Sequence, residues 1–236
     1  GVTDAVRITS DTVVFEGFEV QNAVDAGIYV RLNNDSVVRN NRVSTSGYVG
    51  ISVKYSDGAV IFNNTCEEND AGGIYVYDTT GSKIYNNTCA DNAEFGGAGI
   101  YLEDSSGNEV SSNDLDNYCD WDGGYYCNAA ESGSTPSTNL WYNVTLERGN
   151  RYSDYDGIDA EVPYGIGDTA YTIYTIGEGG GSEINSDPYP LMPTGPVLQP
   201  VPTFSGIGAS EITNESATVG WTIANGVESN NRVLYG

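Results

Sequence analysis

One short motif, repeated four times, constrains the fold of this chain more than any other feature. The copies are Gly27-Ile28-Tyr29-Val30, Gly50-Ile51-Ser52-Val53, Gly73-Ile74-Tyr75-Val76 and Gly99-Ile100-Tyr101-Leu102. Successive copies lie 23, 23 and 26 residues apart. Three further columns keep this spacing: Val38, Ile61, Ile84 and Val110; Asn41, Asn64, Asn87 and Asn113; Val43, Cys66, Cys89 and Leu115. Because all four columns shift together at the longer step, the chain contains an internal repeat.

Each copy of the motif predicts a short β-strand. Apolar side chains alternate with others, as Ile28 and Val30 do around Tyr29, and the runs are too short and too often broken by Gly and Asn for a helix. A strand that stacks on its own copy one repeat later must pair in parallel. We therefore predict an all-β chain that forms a right-handed parallel β-helix, rising about 4.8 Å per coil, with the apolar columns as its core.

The asparagine column predicts the bends between strands. Asparagine tolerates the left-handed backbone conformation, and stacked amides can hydrogen-bond from coil to coil. We therefore expect a structural role for the four members of this column, Asn41, Asn64, Asn87 and Asn113.

The chain divides into three predicted parts. Residues 1–185 form the β-helix and its cap, from an imperfect first coil at 4–25 to a last coil at 139–146. Residues 186–206 contain six of the eight prolines and indicate a semi-rigid linker. Residues 207–236 resemble the first three strands of a fibronectin type III domain. Because a complete sandwich has about 100 residues, we predict a partial Ig/fibronectin III-like β-sandwich, completed by further chain or by a neighbouring subunit.

Three runs near the end of the predicted β-helix resemble a known family. They are Gly149-Asn150-Arg151-Tyr152-Ser153-Asp154-Tyr155, Gly165-Ile166-Gly167-Asp168-Thr169-Ala170-Tyr171 and Tyr189-Pro190-Leu191. Similar runs close the helix in the NosD-type β-helix family, whose repeats are widespread in archaeal surface proteins. The resemblance covers residues 5–192. The family is named for a periplasmic protein that helps to mature the copper sites of nitrous oxide reductase.

The metal expected from this resemblance is calcium rather than copper. Copper requires soft ligands or imidazole, but the chain has no histidine and one methionine; without histidine or a CxxC motif we also predict no zinc. In the family the closing run often reads Asp-x-Asp-Gly-Asp-Gly, which resembles an oxygen-ligand calcium loop. A solvated acidic turn is the alternative for the corresponding residues here, Asp154, Asp156, Asp159, Glu161 and Asp168.

The charge balance limits the partners. The chain has 33 acidic residues against nine basic ones and a net charge of -24. Such a surface repels nucleic acid and anionic membranes, and we predict neither as a partner. No apolar run reaches the 18 residues that indicate a membrane span. The acidic surface instead favours an extracellular location at high ionic strength or among divalent cations.

Four cysteines permit two disulfides. Cys119 and Cys127 bracket a polar aromatic loop, and we predict a local bridge between them. Cys66 and Cys89 share one column in successive coils, which places them near the separation that a disulfide needs. Whether this second pair forms a disulfide or two reduced core residues stays open.

Five Asn-x-Ser/Thr sequons mark candidate glycosylation sites. The motif is short, so a chain rich in polar residues contains several without any functional reason. Those at positions 63 and 86 are usable only if their asparagines face outward. The five are Asn34, Asn63, Asn86, Asn143 and Asn214.

Two outward columns carry the candidate surface chemistry. Tyr29, Tyr75 and Tyr101 predict an exposed strip that stacks on sugars or docks a protein, although tyrosine also simply suits a strand face. The next column holds Arg31, Lys54 and Tyr77, the candidates for a polysaccharide lyase or epimerase, which needs a base and charge neutralisation.

The sequence favours a structural function over catalysis. No convergent catalytic set is visible, basic residues are scarce, and an acidic surface repels an anionic glycan. We therefore predict an extracellular building block of a surface layer, sheath or filament, which assembles with copies of itself or with other envelope proteins. The alternatives are a glycan-binding adhesin and a polysaccharide lyase or epimerase on the β-helix face.

Overall fold

The computed structural model describes residues 3–92, 97–117, 128–133, 137–160, 165–175 and 182–192, together with the backbone of strands at 204–210, 216–223 and 228–234. The chain divides into two compact units, Gly1–Gly195 and Pro196–Gly236. The strands are β1 (Val6–Ile8), β2 (Val14–Glu16), β3 (Glu19–Gln21), β4 (Ile28–Arg31), β5 (Val37–Arg39), β6 (Arg42–Ser44), β7 (Val49–Lys54), β8 (Val60–Phe62), β9 (Thr65–Glu67), β10 (Gly72–Tyr77), β11 (Lys83–Tyr85), β12 (Thr88–Ala90), β13 (Ala98–Glu103), β14 (Glu109–Ser111), β15 (Asp114–Asp116), β16 (Ala129–Ser132), β17 (Arg151–Tyr152), β18 (Tyr171–Tyr174), β19 (Glu183–Asp187), β20 (Phe204–Ser210), β21 (Ser216–Ile223) and β22 (Glu228–Leu234).

The first unit is a parallel β-solenoid of about five coils. Its three sheets are sheet A, from β1 through β4, β7, β10, β13 and β16; sheet B, with β2, β5, β8, β11 and β14; and sheet C, with β3, β6, β9, β12, β15 and β17. Ile51 pairs with Ile28 on one side and with Ile74 on the other, which confirms the predicted parallel register. Val6 pairs with Ile28, so the imperfect first coil is also confirmed.

The predicted apolar columns form the core. Ile28, Val38, Val43 and their equivalents in later coils are at most 1% exposed. The glycine that precedes each sheet A isoleucine is required by this packing. A Cβ atom on Gly73 would lie 2.6 Å from the carbonyl oxygen of Gly99 and 2.7 Å from the sulfur of Cys89. A larger residue at this position would therefore push successive coils apart.

The asparagine column forms a hydrogen-bonded ladder through the interior. The backbone N–H and the side-chain Nδ2 of Asn64 both donate to Oδ1 of Asn87, each at 3.0 Å. Asn87 donates in the same way to Asn113. The predicted amide stacking is confirmed.

The left-handed conformation belongs to the preceding residue rather than to the ladder asparagine. Asn40, Asn63, Asn86 and Ser112 have φ values of 54° to 57°. The expectation that the column itself takes this conformation is therefore wrong. The left-handed residue turns the chain at the corner with its own side chain outside, and the asparagine that follows then points inward.

A second asparagine ladder lies at another corner. Asn69 donates to Asn92, Asn92 to Asn117, and Asn117 to Asn128. Its members lie 23, 25 and 11 residues apart, so they keep the repeat spacing only once. The sequence columns therefore do not include it.

Both ladders end on a carboxylate of the C-terminal cap. Asn113 donates to Asn150, and the backbone N–H of Asn150 donates to Oδ2 of Asp187 at 2.7 Å. At the other corner, Nδ2 of Asn128 donates to Oδ1 of Asp154 at 2.6 Å. A carboxylate only accepts hydrogen bonds, so it satisfies the last donors of a ladder without adding further donors.

The cap closes the solenoid and continues beyond the predicted boundary at residue 185. Trp141 and Tyr152 are fully buried, and the ring of Tyr152 stacks on that of Tyr171. Strand β19 pairs antiparallel with β18, which ends the parallel stacking in sheet A. Asp187 and Leu191 are buried as well. The first residues assigned to the linker thus belong to the cap, because they supply its last hydrogen-bond acceptors and apolar contacts.

The second unit contains a three-stranded antiparallel sheet. Its strand order is β20, β21, β22, and Trp221 on the middle strand pairs with Ser229. Its relation to fibronectin type III domains stays a prediction.

Candidate functional site

The outer face of sheet A carries the two predicted columns. Tyr29, Ser52, Tyr75 and Tyr101 pair as neighbours from coil to coil. Arg31, Lys54, Tyr77 and Glu103 form the next column in the same way. Ser52 thus separates Tyr29 from Tyr75 in this column, which begins at Arg7 and continues to Ala130.

A depression of about 150 Å³ lies beside this interruption. It is shaped by side chains from the first three coils and from the turn that precedes β7. Its floor includes Ser52, which is 2% exposed. The lining residues are Asp4, Arg7, Asp25, Ala26, Tyr29, Arg31, Tyr48, Ser52 and Lys54. We call it the sheet A depression.

Basic side chains are concentrated in the sheet A depression. Three of the nine basic residues line it. Arg7 is neutralised by Asp4, with 2.6 Å between Nη2 and Oδ2. Neither Arg31 nor Lys54 forms an ion pair with any acid that the structure describes. The depression therefore offers two positive charges that are not consumed by the protein itself.

These two cations lie against aromatic rings instead of carboxylates. The Lys54 ammonium is 4.8 Å from the centre of the Tyr75 ring and 6.0 Å from that of Tyr48. The Arg31 guanidinium is 5.8 Å from the centre of the Tyr55 ring. Such contacts hold a cation in place and leave its hydrogen-bond donors available.

Two buried polar atoms of the depression have no hydrogen-bond partner: Nε of Arg31 and Oγ of Ser52. Most buried polar atoms in proteins are hydrogen-bonded, and an unpaired one lowers stability by about 1–3 kcal/mol. Both atoms are shielded from solvent, so they lie beneath the surface of the depression.

The tyrosines of this face remain neutral phenols at ordinary pH. Burial raises the pKa of Tyr29, Tyr48 and Tyr101. The pKa of Tyr75 is raised well above its usual range by burial and by its hydrogen bond to Glu103. A phenol with a raised pKa stays protonated at ordinary pH, so it does not serve as a general base, and its ring remains a stacking surface. The site is suited to binding rather than to proton abstraction by tyrosine.

The tyrosine strip is less exposed than the sequence indicates. Tyr75 is only 7% exposed. The Tyr101 ring stacks on it at 5.4 Å, and the edge of Tyr48 packs against it at 6.1 Å. Tyr75 is therefore covered by neighbouring rings rather than exposed, and one of these rings, Tyr48, lies outside the repeat columns. The interruption at Ser52 was the available signal for the depression.

Comparison with known proteins agrees with this architecture. A family model described as a right-handed β-helix region matches residues 2–146, more than half of the chain. The chain belongs to the right-handed β-helix family. No curated protein and no solved structure matches it significantly. Right-handed β-helix proteins are often extracellular or surface-associated, and the family fits a surface or polysaccharide-related protein in general.

The predicted calcium ligands act mainly as hydrogen-bond acceptors in the β-helix cap. Asp154 accepts from Asn128 and Tyr171, Asp159 from the N–H of Gly165, and Asp168 from that of Ala160. Glu161 lies outside the described residues, and Asp156 is exposed. Within the described ranges no group of three acidic or other metal-binding side chains is placed to hold an ion. Calcium binding stays a prediction.

The two core cysteines of the β-helix are register partners in β9 and β12. Cys66 and Cys89 are free thiols, both fully buried. The hydrogen bond between them and their burial raise the pKa of the Cys89 thiol. Cys119 and Cys127 lie outside the described residues. The bridge between Cys119 and Cys127 stays a prediction, and of the two alternatives left open for Cys66 and Cys89 the structure contains the reduced one.

Three of the five sequons are accessible on the β-helix surface. Asn34, Asn63 and Asn86 are exposed, so the condition that positions 63 and 86 face outward is met. Asn143 is half-buried, and its Nδ2 donates to Glu109 at 2.7 Å. Asn214 lies outside the described residues.

Among the residues that the structure describes, no helix is long and apolar enough to cross a membrane.

Proposed function

We propose that this protein is an extracellular surface protein whose β-helix is a rigid scaffold and whose sheet A depression binds carbohydrate. The observation that carries the proposal is the interruption of the tyrosine row at Ser52, beside which lies a depression with aromatic walls and basic side chains. Sugar-binding sites need these two elements, because the ring stacks on aromatic side chains while its hydroxyls hydrogen-bond.

Aromatic substitutions test this function. Tyr48→Ala removes a wall of the depression without removing a core residue, since the side chain is 38% exposed. Binding of the purified chain to a panel of neutral and acidic polysaccharides is measured by affinity electrophoresis. We expect Tyr48→Ala to weaken binding at least fivefold. Tyr85→Ala, on the outer face of sheet B where the ring stacks on Phe62, is the matched control and should bind normally. A wild-type chain that binds no polysaccharide contradicts the proposal.

Self-assembly into a surface layer, sheath or filament is a second candidate, and one observation favours it. Acidic residues stack at successive coil corners, as in the pairs Asp78 and Asp104, and Glu68 and Asp91. Coils are about 4.8 Å apart, so like charges repel along these rows and divalent cations between molecules would relieve the repulsion. The particle size of the purified chain, measured by light scattering, should increase when calcium is added and decrease when a chelator is added. A chain that stays monomeric at every calcium and salt concentration removes this candidate.

We also propose a narrower family for the β-helix and a family for the C-terminal segment. We assign the chain to the NosD-type, archaeal surface branch of β-helix proteins on the closing runs at 149–155, 165–171 and 189–191. We assign residues 207–236 to the beginning of a fibronectin III-like sandwich; an antiparallel order of three strands with a tryptophan on the middle one supports this.

A further inference from the structure

We propose that Asn63 and Asn86 carry a pair of N-linked glycans at the corner where sheets B and C meet. We call these two residues the corner pair. The inference rests on the extracellular location in the proposed function, because N-linked glycans are attached to surface positions of secreted proteins.

The corner pair occupies one outward position in two successive coils. Asn63 follows β8 and Asn86 follows β11. Both have a left-handed backbone, with a φ of 54°, and both side chains are exposed. Within the described part of the chain, neither side-chain amide forms a hydrogen bond. The nitrogen that a glycan would occupy is therefore free at both sites.

The second part of the acceptor motif is accessible at the same two sites. Thr65 is half-buried and Thr88 is exposed. Neither hydroxyl is hydrogen-bonded to any residue that the structure describes. Because the motif is defined by the asparagine and the hydroxyl residue together, a usable site in the folded chain must present both. The corner pair meets this condition.

The other two sequons in the described residues do not present both groups. In the Asn34 motif the hydroxyl residue is Ser36, which is fully buried. In the other, Asn143 is half-buried and its Nδ2 donates to Glu109 at 2.7 Å. The structure therefore separates sequons that are equivalent as motifs.

An aromatic patch lies beside the corner pair. Phe62 and Tyr85 directly precede the two asparagines on the outer face of sheet B. Their rings are half-buried and stack at 5.0 Å with an angle of 6° between their planes. Aromatic faces are suitable surfaces for the packing of sugar rings. The first sugars of the glycans would thus cover apolar surface that the protein leaves open.

The position in the coil keeps the glycans away from the sheet A depression. Each coil has three sides, formed by sheets A, B and C. A glycan at the corner of sheets B and C projects from the side opposite sheet A. Because coils are about 4.8 Å apart, the two glycans leave the corner side by side.

The modification replaces one N–H bond of the side-chain amide with a bond to a sugar. The donor is an oligosaccharide on a polyisoprenyl pyrophosphate, and a membrane transferase brings it to the chain. Nδ2 bonds to the anomeric carbon, the bond from that carbon to the pyrophosphate oxygen breaks, and the polyisoprenyl pyrophosphate leaves with the electron pair. The nitrogen gives up one proton to a base of the transferase.

The experiment maps glycopeptides by mass spectrometry on the full chain recovered from the cells that produce it. We expect glycans on Asn63 and Asn86, with an occupancy at least tenfold higher than at Asn34 or Asn143. Thr65→Ala, expressed in the same cells, should remove the glycan from Asn63 alone. Thr65→Ser should keep it, because serine retains the hydroxyl.

The second coil supplies a matched gain of a site. Asn40 occupies the same outward corner position, with a φ of 56° and an exposed side chain, but Arg42 stands where the other coils have threonine. Arg42→Thr creates the motif, and we expect a new glycan on Asn40. Arg42→Ala removes the same surface ion pairs, which contribute little to stability, and should add no glycan.

The possible results separate the inference from the proposed function. If the chain is on the cell surface and the corner pair is unmodified, the inference is overturned and the extracellular function stands. The inference is also overturned if Asn34 or Asn143 is occupied as highly as the corner pair, or if Arg42→Thr folds and Asn40 stays unmodified. If the chain is not exported and carries no glycan, the proposed function and the inference both fail.

Discussion

The asparagine ladder should carry a large share of the stability of the β-helix, and Asn87→Ala tests this. In the native chain Oδ1 of Asn87 accepts two hydrogen bonds from Asn64. Its Nδ2 donates to the carbonyls of Ile61 and Tyr85 and to Oδ1 of Asn113. The side chain is 1% exposed, so water does not replace these partners in a chain that keeps its coils in place.

The expected loss follows from the groups left unpaired. Alanine leaves the backbone N–H of Asn64 and the carbonyl of Ile61 without their Asn87 partners in the interior. At about 1–3 kcal/mol for each buried unpaired group, the free energy of unfolding should fall by roughly 2–6 kcal/mol. Globular domains have about 5–15 kcal/mol in total, so one substitution in the ladder should remove a large fraction of it.

Urea unfolding followed by circular dichroism measures this difference. Thr88→Ala is the matched control, because Thr88 is the next residue, is exposed, and forms no side-chain hydrogen bond within the described part of the chain. We expect it to cost less than about 1 kcal/mol, the range of strand propensities. If the two variants unfold at the same urea concentration, the ladder does not stabilise the β-helix as argued.

Three further predictions concern single groups. Burial raises the pKa of Asp187 to about 6 from an ordinary value of 3.8, so its contribution to stability is complete below pH 4 and is lost as the pH rises through 6. The free energy of unfolding of Asp187→Asn, relative to wild type in urea, should therefore rise by roughly 2–3 kcal/mol between pH 4 and pH 8. A difference that stays constant with pH would contradict this. Gly73→Ala places a methyl group 2.6 Å from the carbonyl oxygen of Gly99 and should lower stability by about 1–3 kcal/mol in thermal melts; an unchanged melting point would show that the coils can separate. Cys66 and Cys89 should resist maleimide in the native state and react in urea without reductant; reaction only after reduction would demonstrate a disulfide.

The repeat columns were predictable because a solenoid places equivalent residues in equivalent environments. Apolar residues one coil apart share one interior column, so their spacing alone predicts parallel strands and register. The pairing of Ile51 with Ile28 and Ile74 confirms this. Polar residues at the corners were less predictable, because Asn63 and Asn64 are the same residue type and only the backbone turn decides which one points inward.

The candidate site depended on residues that do not repeat. Tyr48 and Asp25 lie in turns, and no periodicity assigns them to the same surface as Arg31. The covering of Tyr75 by Tyr48 and Tyr101 likewise follows from how side chains of neighbouring coils lie over one another. Composition indicated an acidic surface, but it did not indicate that three of the nine basic side chains line the sheet A depression.

The sequence by itself therefore determined the all-β class, the length of the coil and the residues of the core, since these depend on a pattern that each coil repeats. The tertiary structure decided which polar groups are paired, where the ladders end and where a concave basic site lies. Those properties depend on contacts between residues that differ from coil to coil, as Ser52 differs from its tyrosine neighbours.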